Sequence, residues 1–185
     1  MIKRIILLLV LATYSSSKAQ FIKERAVNIS LGLGISLPYN EEDLSGQGFY
    51  AEGEYIMTVS SWLQIRPYAG FIYTDTFTDD LSPAQSGFEL SITAFFTGGK
   101  LRVIAPIPWV SPYVEGGVGL SIGSFENRTF EYDFKKSGIF HHYPVSIGVL
   151  LGRNRDVDVA FKYLIHPSAK QVIGAAAIGI SFPVN

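Results

Sequence analysis

Cysteine is absent from the 185 residues. That excludes disulfide scaffolds, thiolate zinc sites and thiol catalysis, and also a lipid anchor built on a cysteine at the start of a mature chain. Charge is scarce too, at 17% of residues against roughly 25% in ordinary soluble domains, so a disordered tail, a coiled coil or a heavily solvated surface is disfavoured. There is no basic excess. All 16 acids lie beyond residue 19, whereas three of the 15 bases (Lys3, Arg4, Lys18) lie before it, which leaves 12 bases against 16 acids, a net −4, in the rest. Nucleic-acid binding has no electrostatic support in that balance. Long apolar runs are missing as well: Ile5 to Ala12 is too short for a helix to cross a bilayer, which takes roughly 20 residues. What is plentiful is apolar and small, with 48% hydrophobic residues, 14% aromatic residues and 18 glycines. The length suits one domain.

Lys3 and Arg4, the apolar run after them, and the small polar residues ending Ser17-Lys18-Ala19 have the order of a secretory signal. Residues 1–19 are expected to be cleaved before Gln20, leaving 20–185 as the folded domain.

From Val27 onward the sequence alternates. Val27, Ile29, Leu31, Leu33, Ile35 and Leu37 fall on one face and Asn28, Ser30, Gly32, Gly34 and Ser36 on the other, a separation that only a strand produces. The pattern recurs around Glu52 and Glu54, Gln64 and Arg66, Glu115 and Ser121, Ser146 and Gly148, Asp158 and Lys162, and Ala175 and Gly179. Within 88–103 the apolar set is Phe88, Leu90, Ile92, Ala94 and Phe96. A one-residue slip at Gly98-Gly99 then puts Lys100 and Arg102 on the polar face, as a glycine-marked bulge would. Eight strands follow, with no sustained 3.6-residue period.

Connections near 38–46, 75–87 and 124–137 are long and polar, whereas those near Ser60-Ser61, Pro106 to Ser111 and Arg153 to Arg155 are short; the fourth member of the long set, near Pro167 to Ala169, is short too. Alternating loop lengths match outer-membrane barrels, which have short periplasmic turns and longer external loops. Trp62, Trp109 and Phe182 suit a girdle at the short-turn end; Tyr39, Phe49, Tyr73, Phe88 and Phe125 suit the other. The expected fold is all-β: an eight-stranded antiparallel up-and-down transmembrane β-barrel.

The polar face decides which side meets lipid. It is rich in Gly and Ser and carries both signs of charge, as the confined lumen of eight strands requires. Glu52, Glu54, Arg66, Glu89, Lys100, Arg102, Glu115 and Lys162 are therefore expected inside as a charge network. Leu31, Leu33, Ile65, Ile92, Val118, Val145, Ile147, Val159, Phe161 and Ile178 are expected to meet hydrocarbon. A secreted lipocalin-like ligand-binding barrel, with the apolar face inward, is the alternative.

The basic leader, the Gly-rich strands Ser30-Leu31-Gly32-Leu33-Gly34 and Gly116-Gly117-Val118-Gly119-Leu120, and the closing Ile178-Gly179-Ile180-Ser181-Phe182 together resemble small bacterial outer-membrane β-barrel proteins of the OmpX or "porin family" kind. The resemblance covers the whole chain after the leader. Where that family ends on an aromatic assembly signal, this chain ends Phe182-Pro183-Val184-Asn185. The resemblance implies residence in the bacterial outer membrane among lipid and lipopolysaccharide, folding by the outer-membrane assembly machinery, a monomer and no cofactor. It implies no particular activity.

Two constellations suggest chemistry. His166-Pro167-Ser168 resembles the His-x-Ser of PagL-type lipid A deacylases, in which the imidazole takes the serine proton during attack on an ester. Here Ala169 replaces that family's Asn, Lys170 to Asn185 holds no acid to orient the ring, and alternation from Ile165 turns His166 toward the lumen. The loop acids Glu41, Glu42, Asp43, Asp75, Asp79 and Asp80 are weak candidates for a divalent cation. His141 and His142, being adjacent, point to opposite faces and cannot chelate one ion without another partner. Lys135 and Lys136 are candidates for lipid phosphates. The favoured reading is a non-enzymatic barrel with a closed lumen, in envelope structure or surface interaction.

Overall fold

The structure, a computed structural model, describes residues 22–38, 46–76, 89–128, 133–169 and 171–184. The expected leader, 1–19, lies outside them. Eight strands follow in chain order: β1(Glu24–Pro38), β2(Gly46–Ser60), β3(Leu63–Thr76), β4(Glu89–Ile104), β5(Val110–Arg128), β6(Asp133–Leu151), β7(Val157–His166) and β8(Gln171–Pro183). Each pairs antiparallel with the next, and β1 pairs with β8, closing the barrel. Leu31, for instance, lies opposite Ala51 on one side and Ile178 on the other. Closure leaves no free sheet edge, the condition for a sheet to sit in hydrocarbon.

The wall is inverted relative to a soluble protein. Leu33 is 73% exposed and Val118 64%, with Leu31, Ile147, Phe161 and Ile178 also outside, while the buried polar set includes Asn28, Glu52, Arg66, Lys100 and Asp158. Water does not support such a surface; hydrocarbon does. Trp62, Trp109 and Phe182 stand exposed at the short-turn end, and Phe49 and Tyr73 toward the other. Tyr39 and Phe88, and the side chain of Phe125, lie outside the described residues.

Two expectations are corrected. First, β4 has no parity slip. Gly98 and Gly99 stay in register with Tyr68 and Pro67 on β3 and with Gly119 and Val118 on β5. Ile92, Ala94 and Phe96 point inward with Lys100 and Arg102, Ile92 being 0% exposed, while Phe95 is 50% exposed on the wall. Ile92 therefore belongs to the lumen and not to the lipid face. The pattern misled because the upper lumen is itself apolar, so both faces of upper β4 carry large hydrophobic residues. Gly98 serves interior space instead of a bulge: a Cβ there would strike the backbone of Val118 and Gly119 and crowd the Tyr68 hydroxyl. Second, the long third loop is largely ladder. Ser124 pairs with Ser137 and Arg128 with Asp133, so β5 and β6 reach 19 residues each, with β4 pairing β5 as far as Arg128 and β6 running on past its pairing with β7.

Candidate functional site

Period two delivers charged side chains to the lumen in pairs along three strands: Glu52 and Glu54 from β2, Lys100 and Arg102 from β4, Asp158 and Lys162 from β7. Arg66 and Glu115 complete the set, all buried. Lys100 Nζ is 2.9 Å from Glu52 Oε1, 2.5 Å from Glu54 Oε1 and 3.2 Å from Glu115 Oε1. Lys162 Nζ lies 2.5 Å from Glu52 Oε1, and Arg66 donates to Glu54 at 2.6 Å. Arg102 donates through Nε to Glu115 at 2.7 Å and through Nη1 to Asp158 at 2.8 Å, and its guanidinium lies 3.5 Å from the centre of the Tyr113 ring. Tyr113 donates to the remaining Asp158 oxygen at 2.7 Å.

Four carboxylates (Glu52, Glu54, Glu115, Asp158) thus face four cations (Arg66, Lys100, Arg102, Lys162), for a net charge of zero. Burying an ion costs several kcal/mol, which only close, shared pairing offsets. Bridging contacts such as those of Lys100 make the group act as one unit. Asp158, absent from the residues singled out for the network, was visible on the same polar face as Lys162. Tyr113 was not, because a tyrosine inside a small barrel reads like any wall aromatic. The side chain of Glu89 lies outside the described residues.

Toward the long-loop end the lumen is apolar, filled by Tyr50, Tyr68, Ile72, Ile92, Phe96, Phe140, Leu164 and Ile173. Tyr50 and Phe96 stack at 5.5 Å. A polar chain threads this plug. Tyr68 Oη is 2.6 Å from His142 Nε2, Ser121 Oγ is 2.9 Å from both His142 Nδ1 and His166 Nε2, and His166 Nδ1 is 3.2 Å from the Leu164 carbonyl. For neutral rings the proton positions are forced from the far end. The carbonyl can only accept, so His166 Nδ1 donates and Nε2 accepts from Ser121. Ser121 in turn accepts from His142 Nδ1, whose Nε2 accepts from Tyr68. Gly119 makes room for this, since a Cβ there would meet the Tyr68 hydroxyl, the His142 ring and the Thr97 carbonyl.

His166 therefore does not serve Ser168. Alternation along β7 turns it inward, where it is fully buried, and the exposed Ser168 instead stands 3.4 Å from Nδ1 of His141, on the opposite face of β6 from His142. Of the loop acids, Asp75 is exposed and accepts from Tyr73 at 3.2 Å. Glu41, Glu42, Asp43, Asp79 and Asp80, and the side chains of Lys135 and Lys136, lie outside the described residues.

No protein-family model matches the chain, and no curated protein sequence is significantly similar to it. Solved structures are similar in shape. Neisserial surface protein A matches 86% of this chain and 97% of its own at 13% identity with a TM-score of 0.59. The outer membrane protein OprG of Pseudomonas aeruginosa matches 90% of this chain and 100% of its own at 12% identity with a TM-score of 0.50. The outer membrane enzyme PagL lies further off, at 11% identity over 86% of this chain and 99% of its own, with a TM-score of 0.48. With its closed eight-strand topology, its apolar wall and these likenesses in shape, the chain has the fold of the small outer-membrane β-barrels of Gram-negative bacteria.

Proposed function

We propose that this protein is a non-enzymatic, monomeric integral outer-membrane barrel with a sealed lumen, contributing to envelope structure or to surface contacts through its long-loop end. The observation that carries the reading is the neutral eight-member charge network capped, among the described residues, by a packed apolar plug whose threading polar chain is spent on its own hydrogen bonds. The wall residues meet lipid, lipopolysaccharide surrounds the outer rim, and the outer-membrane assembly machinery inserts the strands. The inward turn of His166, with Ser168 outside near His141, favours this reading over lipid A deacylation by a His166–Ser168 pair.

Two measurements test this. The purified barrel in planar bilayers should give no discrete conductance steps; regular steps under moderate voltage would overturn the sealed lumen. Lipid A from a deletion strain and from a strain carrying the gene should have the same acyl composition by mass spectrometry. Loss of an acyl chain that depends on Ser168 would overturn the non-enzymatic reading.

A further inference from the structure

The short-turn end of the barrel is open. Below the charge network lies a cavity of about 1510 Å³, lined by the ends of β1, β2, β3 and β8 and by the β6–β7 turn. In outer-membrane barrels this end faces the periplasm. Its lining is electrostatically one-sided. Lys23, Arg25, Arg153 and Arg155 stand there against Glu24 and Asp156, an excess of two positive charges at the rim.

The inner end of the cavity carries a second, independent signal. Arg66 and Gln64 line it. Arg66 is fully buried and commits Nη2 to Glu54, yet among the described residues its Nε and Nη1 have no hydrogen-bond partner, and neither does Gln64 Oε1. A buried guanidinium with unused N–H groups is costly unless something accepts from them. Of the carboxylates, only Glu54 Oε2 accepts from this guanidinium, and it does so from Nη2 alone; the network's remaining unbonded oxygens, on Glu52, Glu54 and Glu115, do not bond Nε or Nη1. The acceptor that fits is one brought in from the open side.

We propose that this vestibule binds a phosphate-class oxyanion, held at the floor by Arg66 and drawn in by the positive rim of Arg153 and Arg155. A phosphate offers several oxygens, so one at the floor can accept from both Nε and Nη1 of Arg66 while the rim arginines act on it through their field. Its double negative charge matches the rim excess, and guanidinium groups are the side chains best suited to it. The low-dielectric barrel walls concentrate the positive field on the opening. Free phosphate and the phosphate of a phospholipid headgroup in the adjoining leaflet share this chemistry.

The test uses protein purified from membranes in dodecyl maltoside, with heat-modifiable migration as the check on folding. Calorimetric titration with sodium phosphate at low ionic strength, against sodium chloride as the blank, should show saturable binding. Arg66→Gln should weaken it about tenfold. Arg153→Gln with Arg155→Gln, which alters only the rim and leaves the buried network intact, should weaken it severalfold. In a second arm, phosphatidylglycerol is added to the micelles and retained lipid is read by native mass spectrometry. Phosphate binding that both variants weaken identifies the free anion. Lipid retention that both variants reduce, without phosphate binding, identifies the headgroup. Absence of both, or binding indifferent to both variants, overturns the proposal.

Discussion

Ser121 on β5 and His166 on β7 meet inside the barrel, 2.9 Å between Oγ and Nε2, and the proton on that bond fixes every other proton in the chain from Tyr68 to Leu164. Replacing Ser121 by Ala strands an acceptor on His166 and a donor on His142 inside the lumen. The expected loss is about 1 to 3 kcal/mol, read by urea unfolding from lipid vesicles. Ser121→Ala combined with His166→Leu should cost less than the two changes summed, because one of the stranded groups is then gone. Strict additivity would show that the two residues are not bonded.

Lys100 touches three carboxylates, so Lys100→Met leaves a buried excess of negative charge. We expect a loss of about 3 to 5 kcal/mol. Adding Glu54→Gln should restore part of it, and a double-mutant cycle measures the coupling. No coupling between Lys100 and Glu54 would break the network as described.

Neighbouring phenylalanines of β4 test its parity. Phe96 is fully buried against Tyr50 and Tyr68, and Phe96→Ala should cost about 3 to 5 kcal/mol through the cavity it leaves. Phe95 lies on the wall, where lipid refills the lost volume, so Phe95→Ala should cost markedly less. Reversed costs would restore the glycine-marked slip.

On β6, Ile147 is exposed on the wall and Ser146 is buried. Ile147→Arg should hinder folding into bilayers by about 2 to 4 kcal/mol if the site lies near the midplane, whereas Ser146→Ala should cost little. If Ile147→Arg is as mild as Ser146→Ala, Val159→Arg tells the cases apart: mild again, the wall does not face hydrocarbon; severe, the fault lies in β6 alone.

The short period of the strands made much of this protein readable without coordinates. A side chain's face follows from its parity once one residue of the strand is placed, so Glu52 with Glu54, or Asp158 with Lys162, travel together whatever the barrel does. Glycine, serine and charge of both signs on one face, against Leu, Ile, Val and Phe on the other, determined which side is the lumen. Alternation likewise turned His166 inward and split His141 from His142. Parity says nothing, however, about what lies across the lumen, because that depends on strand tilt and stagger after closure. Only the tertiary structure could bring Ser121 of β5 to His166 of β7, send Ser168 to His141, gather three carboxylates on Lys100, and leave Nε and Nη1 of Arg66 without a partner among the described residues. It also decided β4, where an apolar upper lumen made both faces hydrophobic and removed the contrast from which parity is read.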